Sequence, residues 1–170
     1  MDTFMEKLVT RKKTMTDYLI ITATVIGSLL LILVVLSIQV LMQLGLSVLL
    51  AAGIAYLGYW VITSRNIEYE YIVTNGDLDI DIIISKRKRK RIFSASCKDF
   101  DIVSPIRSSR FDQSVQSIRN RIDASSSIGS PDAYFITLNY KGEKTLVIFE
   151  PTEKMLNNFR IFIPRKVFLN

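Results

Sequence analysis

The chain has 170 residues, with 22 Lys and Arg against 16 Asp and Glu, a net charge of +6, one cysteine and no histidine. A single thiol excludes an intramolecular disulfide. The missing imidazole removes the commonest general base and metal ligand, and with it most Ser-His, Cys-His and zinc chemistry. The expectation is a non-enzymatic protein with no catalytic residues, no cofactor and no metal.

In chain order, residues 1–17 read as a basic cytoplasmic flank with Lys7, Arg11, Lys12 and Lys13. Phe4, Met5, Leu8 and Val9 among them leave open a short interfacial helix. From Tyr18 to Ser64 there is no charged residue, a run of 47. As one helix it would extend roughly 70 Å at 1.5 Å per residue, whereas a bilayer core of about 30 Å is crossed by about 20 residues. Two transmembrane helices, about 18–38 and 44–62, joined by a minimal link at Gln39–Gln43, fit this length in a hairpin. Lysines and arginines on both flanks put both termini in the cytoplasm, at the plasma membrane. Tyr18, Tyr59, Trp60 and Arg65 are the expected interface anchors. Ala23 with Gly27, and Ala51 with Ala55, are small pairs suited to close helix packing. The spans contain no ionisable residue, which argues for an anchor rather than a transporter.

After the spans the periodicity becomes that of strands. Ile67–Val73 and Asp77–Ile84 alternate around Asn75-Gly76, a favoured hairpin turn. A third strand is expected at about Lys88–Ser94 and a fourth at Phe100–Val103. Phe111, Val115, Ile118 and Ile122 follow helical spacing and predict a short amphipathic helix. Residues 125–131 predict a flexible loop. Tyr134–Tyr140 and Thr145–Phe149 pair through Lys141-Gly142. Pro151-Thr152 opens a helix over about 152–163, which Pro164 ends. Residues 66–170 thus predict an α+β unit, with six or seven antiparallel strands bent into a partly open barrel and capped by that helix.

Tyr71-Ile72-Val73-Thr74, Leu78-Asp79-Ile80, Arg89-Lys90-Arg91 before Ile92, Phe100-Asp101-Ile102, and Tyr134–Phe149 with Pro151 before the last helix resemble the bacterial pleckstrin-homology-like domains, particularly those fused to two transmembrane helices. The resemblance implies a PH-like fold and a membrane-side setting, and no catalytic residues.

Lys86, Arg87, Lys88, Arg89, Lys90 and Arg91 form the strongest charge feature. They suit contact with anionic lipid headgroups or a protein partner. Alternatively, Arg89 and Arg91 sit across from the acids at 68–81 as cross-strand pairs. The run lacks the interleaved aromatics of single-strand nucleic-acid binders, so no nucleic-acid partner is expected. Asp77, Asp79 and Asp81 fail the EF-hand pattern, with Ile82 and Lys88 where Gly and Glu are needed. Cys97 stands beside Lys98, which lowers a thiol pKa, but a structural role is the better account. The expectation is a membrane-anchored interaction module whose partners are membrane lipids, a protein or a second copy of the chain. The alternatives are a structural subunit of a larger membrane complex and a lipid-acting enzyme.

Overall fold

The computed structural model describes residues 4–127 and 129–169. Met1–Thr3 of the expected flank, Ile128 of the expected loop and Asn170 lie outside the described residues. The chain forms two compact units: residues 13–67, which are helical, and residues 4–12 with 68–169, which are mainly β.

In the helical unit, α1 (Met15–Ser37) and α3 (Leu46–Ser64) are joined by α2 (Gln39–Gln43). Thr14 and Asp17 form a reciprocal capping box that starts α1. Ile38 is extended and Gly45 is left-handed at φ 69°, and these two residues break the helical path on either side of α2. Both long helices are long and apolar enough to cross a membrane, by length and composition. Their side chains face outward: Leu29, Leu31, Leu33, Leu49 and Leu57 are each more than half exposed. The helices approach closely where Gly58 faces Ser28, and Gly27 of the expected small pairs lies away from that contact. A Cβ on Gly58 would stand 2.8 Å from Ser28 Oγ, whereas one on Gly27 would meet nothing within 4 Å. At the open end of the unit, Arg65 Nε and Nη2 donate to Asp17 Oδ1 at 2.9 and 2.6 Å. This pair brings the start of α1 beside the end of α3, and with them Tyr18, Tyr59 and Trp60, all about half exposed.

Among the described residues the β unit forms eight strands in two sheets, where a single bent antiparallel sheet was expected. The first sheet is β1 (Phe4–Thr10), β2 (Ile67–Thr74), β3 (Asp77–Ile84) and β4 (Lys88–Ser96), in that order. β1 stands where the N-terminal flank left open a short interfacial helix. It pairs antiparallel with β2, Phe4 opposite Thr74 and Thr10 opposite Glu68. Val9 is buried, and Lys7 Nζ donates to the Glu150 carbonyl at 2.8 Å. The β unit therefore does not begin at residue 66, because its edge strand precedes both long helices. A single 3-10 turn at Cys97–Asp99 leads to the second sheet.

That sheet orders β5 (Phe100–Pro105), β7 (Tyr134–Tyr140), β8 (Glu143–Phe149) and β6 (Asn120–Asp123). β6 pairs parallel with β8 and was not expected. The predicted helix shrinks to α4, Gln113–Gln116. Ile118, Phe111 and Val115 instead pack with Phe135 and Leu146 over this sheet, and Ile122 lies in β6. The expected loop is tied down. Ser125 and Ser130 are buried, Ser126 N–H and Oγ–H donate to Glu150 Oε1 at 2.8 and 2.7 Å, and Lys12 N–H donates to the Ser126 carbonyl at 2.7 Å.

The C-terminal helix α5 (Glu153–Phe162) is capped by Thr152 and buries Met155, Leu156 and Phe159. Its Phe162 closes on the β2–β3 turn. A Cβ on Gly76 (φ 89°) would stand 2.8 Å from that ring and 3.0 Å from Cys97 Sγ. Tyr71, Phe93, Phe100, Phe149 and Phe159 are fully buried in the core between the sheets, and Phe135 is buried on the other face of the second sheet. Each contributes about 1.5–3 kcal/mol by burial. Tyr71 also ties the sheets together, donating its hydroxyl to the Ala124 carbonyl at 2.5 Å and accepting from Glu150 N–H at 3.3 Å.

Candidate functional site

The cationic run spans the tip of the β3–β4 hairpin and the first half of β4. Ser85, Lys86 and Arg87 make the turn, closed by Arg87 N–H donating to the Ile84 carbonyl at 3.1 Å. Ser85 and Lys86 have φ of 56° and 55°. The two other hairpin turns, Asn75-Gly76 and Lys141-Gly142, also have two left-handed residues, but each places glycine second. In the cationic tip that second position holds Lys86. A side chain in this conformation costs roughly 1–2 kcal/mol.

Beyond the tip a β-bulge divides the run. Ile80 pairs with Phe93 and Asp81 with Arg91, so Ile92 is the extra residue. The bulge lets Phe93 point inward while Arg91, two residues earlier, points outward. Arg91 bridges Asp79 Oδ2 at 2.6 Å and Asp81 Oδ1 at 2.5 Å. Arg89 Nη2 donates to Glu70 Oε1 at 2.6 Å. Glu70 is 2% exposed and Asp81 4% exposed, so these arginines answer buried carboxylates. Burial, followed by a hydrogen bond with the Glu6 carboxyl, raises the Glu70 pKa, and Arg89 opposes the rise. The Asp81 hydrogen bond, the largest influence on Arg91, holds its guanidinium more firmly protonated.

Lys86, Arg87, Lys88 and Lys90 are exposed and, among the described residues, make no ion pair. The six expected contact residues thus separate into four exposed cations without an ion pair among the described residues and two arginines that pair with acids of the sheet. The acids at 79 and 81 are engaged with Arg91. Cys97 is fully buried, and burial raises its pKa against the smaller lowering by Lys98.

The hydrogen-bond register fixes where the tip lies in its sheet. β1 ends at Thr10, opposite Glu68 near the start of β2. β3 ends at Ile84, opposite Lys88 at the start of β4. In an antiparallel meander these four points share one end of the sheet. The chain leaves for the helical unit and returns from it at the end that carries the cationic tip. The sequence alone did not reveal this, because it depends on the β1–β2 pairing.

A cleft of about 480 Å³ elsewhere in the β unit is lined by Lys7, Arg107, Asp132, Tyr134, Glu153 and Leu169 among others. Those side chains balance in charge, whereas the tip does not.

Two four-stranded sheets with a C-terminal helix closing over their core define a PH-like domain. The chain matches the family model of the bacterial PH-like domain (DUF6106) over residues 1–169 and belongs to that family. No curated protein and no solved structure matched.

Proposed function

We propose that this protein is a non-enzymatic, membrane-anchored interaction module. In this reading α1 and α3 cross the plasma membrane as a hairpin, and the PH-like domain meets its partners at the inner leaflet. The observation that carries it is the position of the apolar helices. They lie between two strands paired in one sheet, so the domain is tied at β1 and at β2 rather than trailing from one flexible end. The outward apolar side chains of α1 and α3 and the interface-type residues Tyr18, Tyr59, Trp60 and Arg65 at one end of the helical unit support insertion. The surrounding bilayer would satisfy the former and the headgroup zone the latter.

The test is topological. The full chain should stay with membranes through an alkaline carbonate wash. A reporter inserted after Leu41 should read outside the cytoplasm, and reporters at both termini inside it. Release by the wash, or a cytoplasmic signal at Leu41, would overturn the anchor.

A further inference from the structure

We infer that the β3–β4 tip, through Lys86, Arg87 and Lys88 with Lys90 beside them, docks on anionic phospholipid headgroups of the membrane in which the chain is anchored. The inference rests on the anchoring reading above and gives the domain its ligand class. Three independent observations meet at this tip.

The first is place. The tip shares its sheet end with Thr10 and Glu68, and neighbouring strands lie about 4.8 Å apart. β2 and β4 are separated only by β3, so the tip lies on the order of 10 Å from the point where the chain re-enters the sheet. The links to the helices are residues 11–14 and 65–66. Fully extended, four and two residues reach at most roughly 14 and 7 Å. Covalent length alone therefore limits how far this end of the sheet can stray from residues 15 and 64, where the long helices begin and end. These short links allow the tip to reach the headgroup zone, and the Debye length of about 8 Å at physiological salt sets how closely it must approach for headgroup charge to be felt.

The second is charge. Arg89 and Arg91 are engaged with Glu70, Asp79 and Asp81, whereas the tip cations are exposed and make no ion pair among the described residues. Near an anionic leaflet each such cation multiplies the docked population roughly fivefold.

The third is conformation. Lys86 occupies the position at which the other two hairpin turns use glycine. The sequence therefore keeps a cation where the backbone favours its absence.

The experiment uses the full chain in vesicles of phosphatidylcholine, with or without phosphatidylglycerol. A fluorophore on Ser85→Cys, which removes no charge, reports proximity through a quencher attached to lipid headgroups; Cys97 is buried and stays unlabelled. Quenching should be strong only with phosphatidylglycerol and should fade as salt shortens the Debye length. The added triple change Lys86→Gln, Arg87→Gln, Lys88→Gln should lower the docked-to-free ratio on the order of a hundredfold. The control pair Lys141→Gln, Lys144→Gln, in the β7–β8 hairpin, should leave it unchanged. Equal quenching in both lipids, or a triple variant that behaves like the parent, would overturn the inference while leaving carbonate-resistant anchoring intact. Lipid-insensitive quenching together with a crosslinked protein partner lost in the triple variant would also overturn it, in favour of a protein contact.

Discussion

The helical and β units place different demands on their sequences. In the helical unit one local property, the absence of charge, specifies most of the structure, and α1 approaches α3 closely where Ser28 faces Gly58. In the β unit long-range pairing decides. Residue 7 is placed by residue 71, and Tyr71 closes hydrogen bonds to residues 124 and 150. A substitution in the first unit should stay local, and one in the second should spread.

The largest test of that contrast removes residues 1–10. The β unit loses its edge strand, the buried Val9 and the Lys7 contact, and should lose cooperative unfolding by near-ultraviolet circular dichroism. The helical unit should still resist carbonate extraction. Next, Tyr71→Phe leaves the Ala124 carbonyl and the Glu150 N–H unmet and should cost about 1–3 kcal/mol, seen as a lower denaturant midpoint at unchanged slope. In the other unit Gly58→Val should cost a similar amount, about 1–3 kcal/mol by overpacking against Ser28. It should leave the near-ultraviolet spectrum of the β unit untouched.

Two buried glutamates sharpen the comparison through pH. The folded-state pKa of Glu70 is raised. Its contribution to stability is full below the unfolded value near 4.3 and declines as pH rises through the folded value. Arg89→Gln removes the cation that restrains the rise, so the variant should lose more stability than the parent between acid and neutral pH. Glu150 has the opposite sign. Burial pushes its pKa up, but hydrogen bonds from Ser126 and Ser130, aided by Lys7, prevail and lower it. Its stabilisation is present above the unfolded value and is lost as pH falls through the folded one, so Glu150→Gln should flatten the acid limb of a stability–pH curve. The smallest effect is expected at the tip. Lys86→Gly relieves a left-handed side chain and should stabilise the β unit by about 0.5–1 kcal/mol, while weakening headgroup docking.

The same contrast explains what the sequence discloses. The uncharged run locates both apolar helices within a few residues, because hydropathy needs no partner. Alternation finds β2, β3, β7 and β8, and the turn residues Asn75-Gly76 and Lys141-Gly142 mark their hairpins. β1 stays hidden, since its alternation of Phe4, Glu6 and Leu8 against Met5, Lys7 and Val9 is short and its partner lies more than fifty residues away. β6 is misread because Phe111, Val115, Ile118 and Ile122 mimic a helical stripe, and pairing with β8 outweighs that local pattern. The cationic run is conspicuous in the sequence, but its division is not. The bulge at Ile92 turns Arg91 toward the acids, and no residue type announces it.

The insertion of α1 and α3 between β1 and β2 has a consequence for biogenesis. Neighbouring strands of one sheet must lie on the same side of any membrane that the intervening helices cross, so an even number of crossings is a precondition for the sheet. During synthesis β1 emerges first and waits, unpaired, until both helices and β2 have followed. If the helices cross a membrane as proposed, a chain in which only one inserts would strand β1 and β2 on opposite sides, and their pairing could not form. In the proposed membrane-anchored arrangement, a chain with only one helix inserted would be left with an unpaired edge strand.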